Sequence, residues 1–427
     1  MHLLLNRRRF LGRSAAAALA GATLAAGSPR AFAAANERIQ LGFIGIGYQS
    51  RGHLNKLLKF PDVQVVAVCD VETTRRDDAQ RTANEFYAKQ SGKGSYHGCQ
   101  AFGDFRQLLA AGQVDAVVIG TPDHWHAIPA IAAARAGKDI YCEKPLSLTI
   151  AEGRAMVQAA REKNVVFQTG SQQRSEFGGL FRHAVELVRG GHIGEVKVVR
   201  VGVGGPAVPC DLPTEPVPSG TDWDFWQGPS PARGYNQILC PQGIHKHFPA
   251  WRKYREYGGG GLSDMGAHHF DIAQWALGMD DSGPVLIEPP TGSEITGLKF
   301  TYANGIVMFH GGPSGCTFEG TRGTLYVDRK KLETTPASIA EHKTTADEFH
   351  VEPSDNHYRN WLDAVRARKR PICDVEIGHR SATVCQLGNI GYELRRPLRW
   401  DPARERFIDD DEANAKISRP QRAPWTL

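Results

Sequence analysis

Lys144 lies in Tyr141-Cys142-Glu143-Lys144-Pro145, directly after a short apolar run. An ammonium at that point can donate to a hydroxyl and stabilise its oxygen as it becomes alkoxide-like. On its own, Lys144 reads equally well as a surface lysine in a strand-to-helix loop. A second group follows four consecutive glycines, in Gly258-Gly259-Gly260-Gly261-Leu262-Ser263-Asp264-Met265-Gly266-Ala267-His268-His269-Phe270-Asp271. If a helix begins near Asp264, then Asp264, His268 and Asp271 stand at i, i+4 and i+7 on one face. An imidazole there can accept a proton near neutral pH, and a neighbouring carboxylate would orient it and stabilise its charged form. The structural alternative is an N-capping Asp264 with a core histidine. A metal held by the same face with His245 or His247 is a further option, but no other ligand motif supports it and no metal is expected. The chemistry indicated is proton transfer at an alcohol or carbonyl oxygen.

Such chemistry suits a hydride-accepting cofactor, and the chain carries a signal for one. Gly45-Ile46-Gly47-Tyr48-Gln49-Ser50 follows an apolar strand-like run and precedes a helical stretch. Gly45 permits a tight turn, and Gly47 lets the backbone approach a pyrophosphate at the helix N-terminus. Ser50 takes the third position of the pattern in place of glycine, with Gly52 two residues on. Asp70 closes the second strand-like run, where it would accept from the adenosine ribose hydroxyls and repel a 2′-phosphate. NAD is therefore favoured, and Arg75 and Arg76 leave NADP open.

The elements that must position these groups alternate. Strands are expected at 39–44, 63–69, 116–119, 139–142 and 165–169, with helices at 52–59, up to about 89, 105–111, 128–136 and 150–163. That order predicts a doubly wound parallel sheet, an α/β Rossmann domain over 37–169. After Gly170 the pattern changes to one helix (180–189) and strands near 196–203, 295–302, 306–309 and 323–327. This predicts an α+β domain over 170–427 with a large open, mostly antiparallel sheet. A loop rich in Pro, Trp and Gly spans about 204–261. Helices at 356–368 and 376–394 are expected to pack back near the first domain, and the polar tail after Arg399 to cross the surface.

The glycine turn, Glu143-Lys144-Pro145 and Asp264-x-Gly266-x-His268-x-x-Asp271 resemble, in order and spacing, the Gfo/Idh/MocA family of sugar and cyclitol oxidoreductases. Thr121-Pro122-Asp123-His124-Trp125-His126, Gly320-Thr321-Arg322-Gly323-Thr324 and Glu376-Ile377-Gly378-His379-Arg380 extend the resemblance over nearly the whole mature chain. It implies a Rossmann domain plus an open-sheet domain that oligomerises through its sheet. Lys144 and His268 would carry proton transfer, Asp264 would contact substrate or ring, and Lys144-Pro145 would be a cis bond. Cofactor contacts are expected from Gly45, Gly47, Tyr48, Ser50, Arg51, Asp70, Thr121, Pro122, His124, His126, Glu143 and Lys144. The substrate implied is a sugar, glycoside or cyclitol. The insert around Trp223, Trp226, Arg233, Tyr235, Trp251, Arg252 and Tyr254 departs from short members. Its aromatic faces and guanidinium donors suit a polyhydroxylated ring, or else fold on themselves as a structural loop. Gln173, Arg174, Arg233, Tyr235, Trp251, Arg252 and His269 are the candidate substrate contacts. Related family activities leave open an aldose–aldose enzyme or an NAD-dependent glycosidase that recycles its cofactor. A sugar-binding protein with structural NAD also remains open.

The first 33 residues combine Arg7-Arg8-Arg9-Phe10-Leu11, an Ala-rich run and Ala31-Phe32-Ala33, which together read as a cleaved twin-arginine signal. The expected location is periplasmic or secreted. The leader holds five arginines and no acid, which equals the whole-chain net charge of +5, so beyond it 46 basic residues balance 46 acidic ones. No basic patch points to nucleic acid, and no later run reaches the ~20 apolar residues of a membrane span. The eight cysteines are scattered without a C-x-x-C, which argues against a zinc ribbon, and a Cys210–Cys240 disulfide is permitted without being indicated.

Overall fold

The computed structural model describes residues 38–92 and 94–427, so the leader lies outside the described residues. Six strands form the first sheet: β1 (Ile39–Ile44), β2 (Val63–Cys69), β3 (Gln100–Phe102), β4 (Ala116–Ile119), β5 (Asp139–Cys142) and β6 (Phe167–Thr169). Their order is β3-β2-β1-β4-β5-β6, all parallel. β1, β4 and β5 are mostly apolar and buried on both faces, as a parallel sheet covered by helices requires. The order reverses between β1 and β4, so a crevice opens beyond their carboxyl ends, where Gly45 and Thr121 lie.

The second sheet has eight strands: β7 (Val196–Gly202), β8 (Leu286–Glu288), β9 (Lys299–Thr301), β10 (Val307–Gly320), β11 (Thr324–Val327), β12 (Leu332–Thr335), β13 (Leu398–Asp401) and β14 (Arg406–Phe407). The expected strand at 306–309 is the first part of β10. Val307–His310 face Val198–Val201, and Cys316–Glu319 face the same residues in reverse order. The glycine-rich turn 311–315 lies inside this element and carries the chain back along β7. β3, β8, β12, β13 and β14 were not anticipated; each has two to four residues, too few to establish a period.

Helices Leu180–Arg189 and Gly266–Leu277 cover one face of the second sheet, sharing a core with Phe300, Phe318, Leu325 and Trp400. Helix Val375–Leu394 packs against Gly266–Leu277 and also against Ile150–Glu162 of the first domain. Helix His357–Ala367 puts Tyr358, Trp361 and Leu362 into the core formed by Leu41, Phe43, Val118 and Tyr141. The tail crosses the surface: Arg419 pairs with Glu152, and Trp425 meets Trp125 edge-on at 4.7 Å. All eight cysteines are free thiols, Cys210 and Cys240 included. No helix among the described residues is long and apolar enough to cross a membrane.

Buried imidazoles act as struts across these layers. His357 Nε2 bonds the Thr169 carbonyl at 2.9 Å and its Nδ1 meets Ser175 Oγ at 2.9 Å. His124 Nε2 bonds the Trp226 carbonyl at 2.9 Å. Burial lowers the pKa of His124 to about 3 and those of His269 and His357 to about 4. An unfolded chain takes up protons at these groups below pH 6.5 while the folded one does not. Each group therefore removes about 1.4 kcal/mol of stability per pH unit of acidification between 6.5 and its folded value. His126 and His268, also lowered by burial, act in the same direction. Asp123, pushed up to about 8 by burial, opposes them, because it stays protonated in the folded chain. The net expectation is a urea midpoint that falls steadily from pH 6.5 to 4.5; a flat or rising midpoint would contradict it.

Candidate active site

A groove lined by Gly45, Gly47, Asp70, Thr121, Trp251 and Arg252 runs along the carboxyl ends of β1 and β4. Gly45 turns out of β1 at φ +82°, and a Cβ there would come within 2.8 Å of Thr121. Gly47 lines the groove, and a Cβ on it would meet nothing within 4 Å, which leaves its backbone open to a ligand. Helix Tyr48–Leu57 starts immediately afterwards, four residues before the expected Gly52, because Gly47 itself is the N-cap; no side chain caps that end. The free first-turn amides of a ten-residue helix favour a phosphate. Asp70 accepts from Ile46 N (2.7 Å) and Glu72 N (2.9 Å), one bond on each oxygen, and keeps lone pairs for further donors on the groove side. These residues fit a dinucleotide. Arg75, which left a 2′-phosphate open, is buried and bonds the Pro241 and Gly243 carbonyls.

The opposite wall comes from the insert. Tyr48 meets Phe248 edge-on at 5.0 Å, and the Arg252 guanidinium lies over Phe248 at 4.9 Å and Trp251 at 4.2 Å. Arg252 Nε is 3.5 Å from Asp264 Oδ1. That oxygen also accepts from Lys144 Nζ at 2.7 Å, and the Asp264 carbonyl accepts from the same ammonium at 2.8 Å. Burial alone would raise the Asp264 carboxyl, but Lys144 and Arg252 hold it below its ordinary range. Asp264 ends the short helix Gly260–Asp264 and precedes Gly266–Leu277, so the expected single helix is broken at Met265. The Lys144–Pro145 bond is cis.

His268 is buried and its Nδ1 has no hydrogen-bond partner. Burial, and then the nearby Lys144 charge, hold it neutral, well below the usual histidine range. Asp271 does not orient this ring. It accepts from Arg174 (2.8 and 2.9 Å) and Ser381 (2.7 Å) instead.

Several expected contacts prove to be supports. Arg174 is wholly buried between Asp271 and Asp280, with no face left for a substrate. Arg233 holds the Cys210 and Leu212 carbonyls, and the Tyr235 hydroxyl donates to the Cys240 carbonyl, so both close the insert on itself. Trp223 and Trp226 stack at 4.8 Å in the insert's own core, and Trp226 also lines the groove. His126 bonds the Pro145 and Thr121 carbonyls, which with His124 places the two histidines beneath the groove. Glu143 is likewise buried: burial would raise it, but His53, Lys144 and Gln172 hold it down to about 2. Ser50 packs behind the turn against Gly120, and Arg51 pairs with Asp78. His269 turns toward Phe181. Thr121, Pro122, Trp251 and Arg252 do line the groove, and Gln173 donates to the His268 carbonyl at 3.2 Å. His245 lines the outer wall beside His247, and neither joins Asp264 or His268 in a ligand cluster.

Three groups went unnoticed in the sequence. Arg329 donates to Gln173 Oε1 at 2.8 Å, and its charge bears on His268, His269 and Asp264. Asp123 is a buried carboxyl within the fields of Lys144, Arg252 and Asp264. Phe248 forms the roof of the groove. The sequence places Arg329 and Phe248 in loops with no motif, whereas Asp123 lies inside Thr121–His126 and could have been singled out there.

Comparison with known proteins agrees with this layout. Residues 39–171 match the Gfo/Idh/MocA oxidoreductase family, NAD-binding Rossmann fold, and residues 207–427 match its C-terminal alpha/beta domain. A myo-inositol 2-dehydrogenase from Thermotoga maritima is 30% identical over 171 residues, 40% of this chain and 47% of that protein. A 1,5-anhydro-D-fructose reductase from Ensifer adhaerens is 27% identical over 253 residues, 56% of this chain and 63% of that protein. The chain thus spans about half to two thirds of these relatives' lengths. The WlbA dehydrogenase from Bordetella pertussis, solved with NADH and UDP-GlcNAcA, shares the fold at a TM-score of 0.58 and 19% identity, over 85% of this chain and 99% of that one. Two matched domains in sequence, over a groove built for a dinucleotide, make this chain a member of the Gfo/Idh/MocA oxidoreductase family.

Proposed function

We propose that this chain oxidises or reduces a secondary alcohol of a sugar, glycoside or cyclitol with NAD. The observation that carries the reading is the Lys144–Asp264 pair, which Arg252 of the groove wall joins at 3.5 Å, with the His268 imidazole, unpartnered at Nδ1, held neutral by burial and then by the same ammonium. The nicotinamide, when bound, supplies the site for the carbon-bound hydride. Lys144 Nζ donates to the substrate oxygen and stabilises the charge that grows there. Neutral His268 takes the hydroxyl proton. Its depressed basicity makes it a station the proton passes through rather than one that keeps it. Asp264 holds Lys144 in place through two bonds, and Gln173 and Arg329 fix the backbone and field around His268. The relatives' substrates, an inositol and an anhydro sugar, support a polyhydroxylated ring.

Lys144→Ala and His268→Ala should each lower kcat on the best sugar of a panel by ~100-fold or more with unchanged circular dichroism. Near-normal turnover in both variants would remove the assignment. Asp264→Asn removes the charge that pairs with the ammonium, leaving neutral acceptors only, and should lower kcat with a smaller effect on NAD affinity; an unchanged kcat would mean that the Asp264 charge does not position Lys144.

We further propose that the mature enzyme is exported already loaded with NAD and regenerates it in place, with a second sugar as the acceptor, and that it self-associates through its second sheet. The twin-arginine leader and the roof of Tyr48, Phe248 and Arg252 over the groove support retention. Self-association rests on the family resemblance, and a monomer by sedimentation velocity would remove it. Purified protein, denatured and analysed by mass, should release NAD near one per chain. Phe248→Ala should release most of its cofactor on gel filtration. Equal retention by the variant would show that the roof does not hold the nucleotide. A keto sugar accumulating without a reduced partner would exclude recycling.

A further inference from the structure

Remote from the groove, three side chains of the second domain converge on one point. His192 Nε2 lies 3.3 Å from Glu348 Oε1, and His342 Nε2 lies 2.9 Å from the same oxygen. The two imidazoles are 4.0 Å apart between ring centroids, and one ligand atom from each of the three residues falls within 4.8 Å of the others. Among the described residues no other group of three His, Cys, Asp or Glu does this. A tetrahedral ion bonded at about 2.0–2.1 Å to nitrogen and oxygen spaces its ligand atoms by roughly 3.3 Å, close to the 3.3 and 2.9 Å from the two imidazoles to Glu348 Oε1.

The surroundings prepare the set for an ion. Thr345 donates to Glu348 Oε2 from both its backbone N–H and its Oγ1, the latter at 3.1 Å. His342 Nε2 lies 3.0 Å from Glu348 Oε2 as well, so Thr345 fixes a carboxylate that faces this imidazole with both oxygens, as outer partners orient metal ligands. Gly190 stands beside His192, and a Cβ there would come within 3.1 Å of His192 Nε2, so glycine keeps the ligand edge clear. His192 follows helix Leu180–Arg189, whereas His342 and Glu348 lie in the segment after β12. His183 on that helix also meets the Ala340 carbonyl at 3.3 Å, so the two segments are already in contact.

We propose that His192, His342 and Glu348 bind one divalent transition ion of the zinc class, which fastens the segment after β12 to the end of helix Leu180–Arg189. Two imidazoles and a carboxylate select Zn²⁺ or its neighbours over Mg²⁺ and Ca²⁺, which prefer all-oxygen sites. The set provides three ligands and leaves a fourth position for water. The ion is structural, since Lys144 and His268 belong to a different site.

The test uses the tag-free, EDTA-dialysed full chain titrated calorimetrically with ZnCl₂, together with its His192→Ala, His342→Ala, Glu348→Gln and His350→Ala variants. The expected result is one zinc per chain, with affinity lost by more than the about 10–100-fold typical of an outer-shell change in the first three variants. His350→Ala, a neighbouring histidine outside the set, should bind as the parent does. Zinc should also raise the melting temperature of the parent but not of His342→Ala, and calcium should do neither. Retained sugar oxidoreductase activity shows that each variant is folded. Absence of stoichiometric zinc uptake by the parent, or equal uptake by all the variants, overturns the proposal.

Discussion

The ion pair between Lys144 and Asp264 is the contact on which the rest of the molecule depends. One partner leaves the carboxyl end of β5 in the first domain, and the other ends a helical turn in the second. Both are partly withdrawn from water, with side-chain exposures of 14% and 33%. A half-buried pair is worth having only when its spare donors and acceptors are also satisfied. Here the ammonium has a second acceptor in the Asp264 carbonyl, and the carboxylate has a second cation in Arg252. Through Arg252 the pair reaches Phe248 and Tyr48, so one electrostatic contact ties the residue after β5 to the wall of the groove.

A second layer of polar contacts keeps that pair in register. Arg174 is saturated by Asp271 and Asp280, and Ser381 on helix Val375–Leu394 donates to Asp271 as well. This network joins the segment that follows β6 to helix Gly266–Leu277, which carries His268. Behind Lys144, Glu143 accepts from His53 at 2.7 Å and from Gln172 at 2.9 Å, and His53 in turn meets Tyr358. An unpaired buried charge in either network would be costly, so each charged group sits with partners that leave it no freedom to bind substrate. The molecule thus separates groups that react from groups that hold them, although both kinds are charged and adjacent in sequence.

That separation explains what the amino-acid order revealed. The parallel sheet was legible except for β3, because β1, β2, β4 and β5 are largely apolar runs bounded by polar turns. Glycine turn, Asp70 and Lys144 were legible because their chemistry is local to a strand end. Arg174, Arg233 and Tyr235 were misassigned for the opposite reason: a buried arginine and a ligand-facing arginine look the same in sequence, and only the partners across 97 residues for Arg174 and 23 for Arg233 separate them. The insert's tryptophans gave composition without direction: Trp223 and Trp226 stack on each other, while Trp251 lies under Arg252 in the groove wall. Very short strands such as β14, with two residues, are defined by their neighbours and leave no period to read. Asp271 matched the helical spacing but faces Arg174, since spacing fixes a face and not a partner.

The most direct test of the central claim is a crystal structure of the chain with bound NAD and a non-reacting polyol. A polyol hydroxyl is expected within hydrogen-bond distance of both Lys144 Nζ and a His268 ring nitrogen, with its carbon about 3–3.5 Å from the nicotinamide ring. A nicotinamide lying away from the Lys144–Asp264 pair, or a polyol seated against Arg233 and Tyr235 instead, would contradict it.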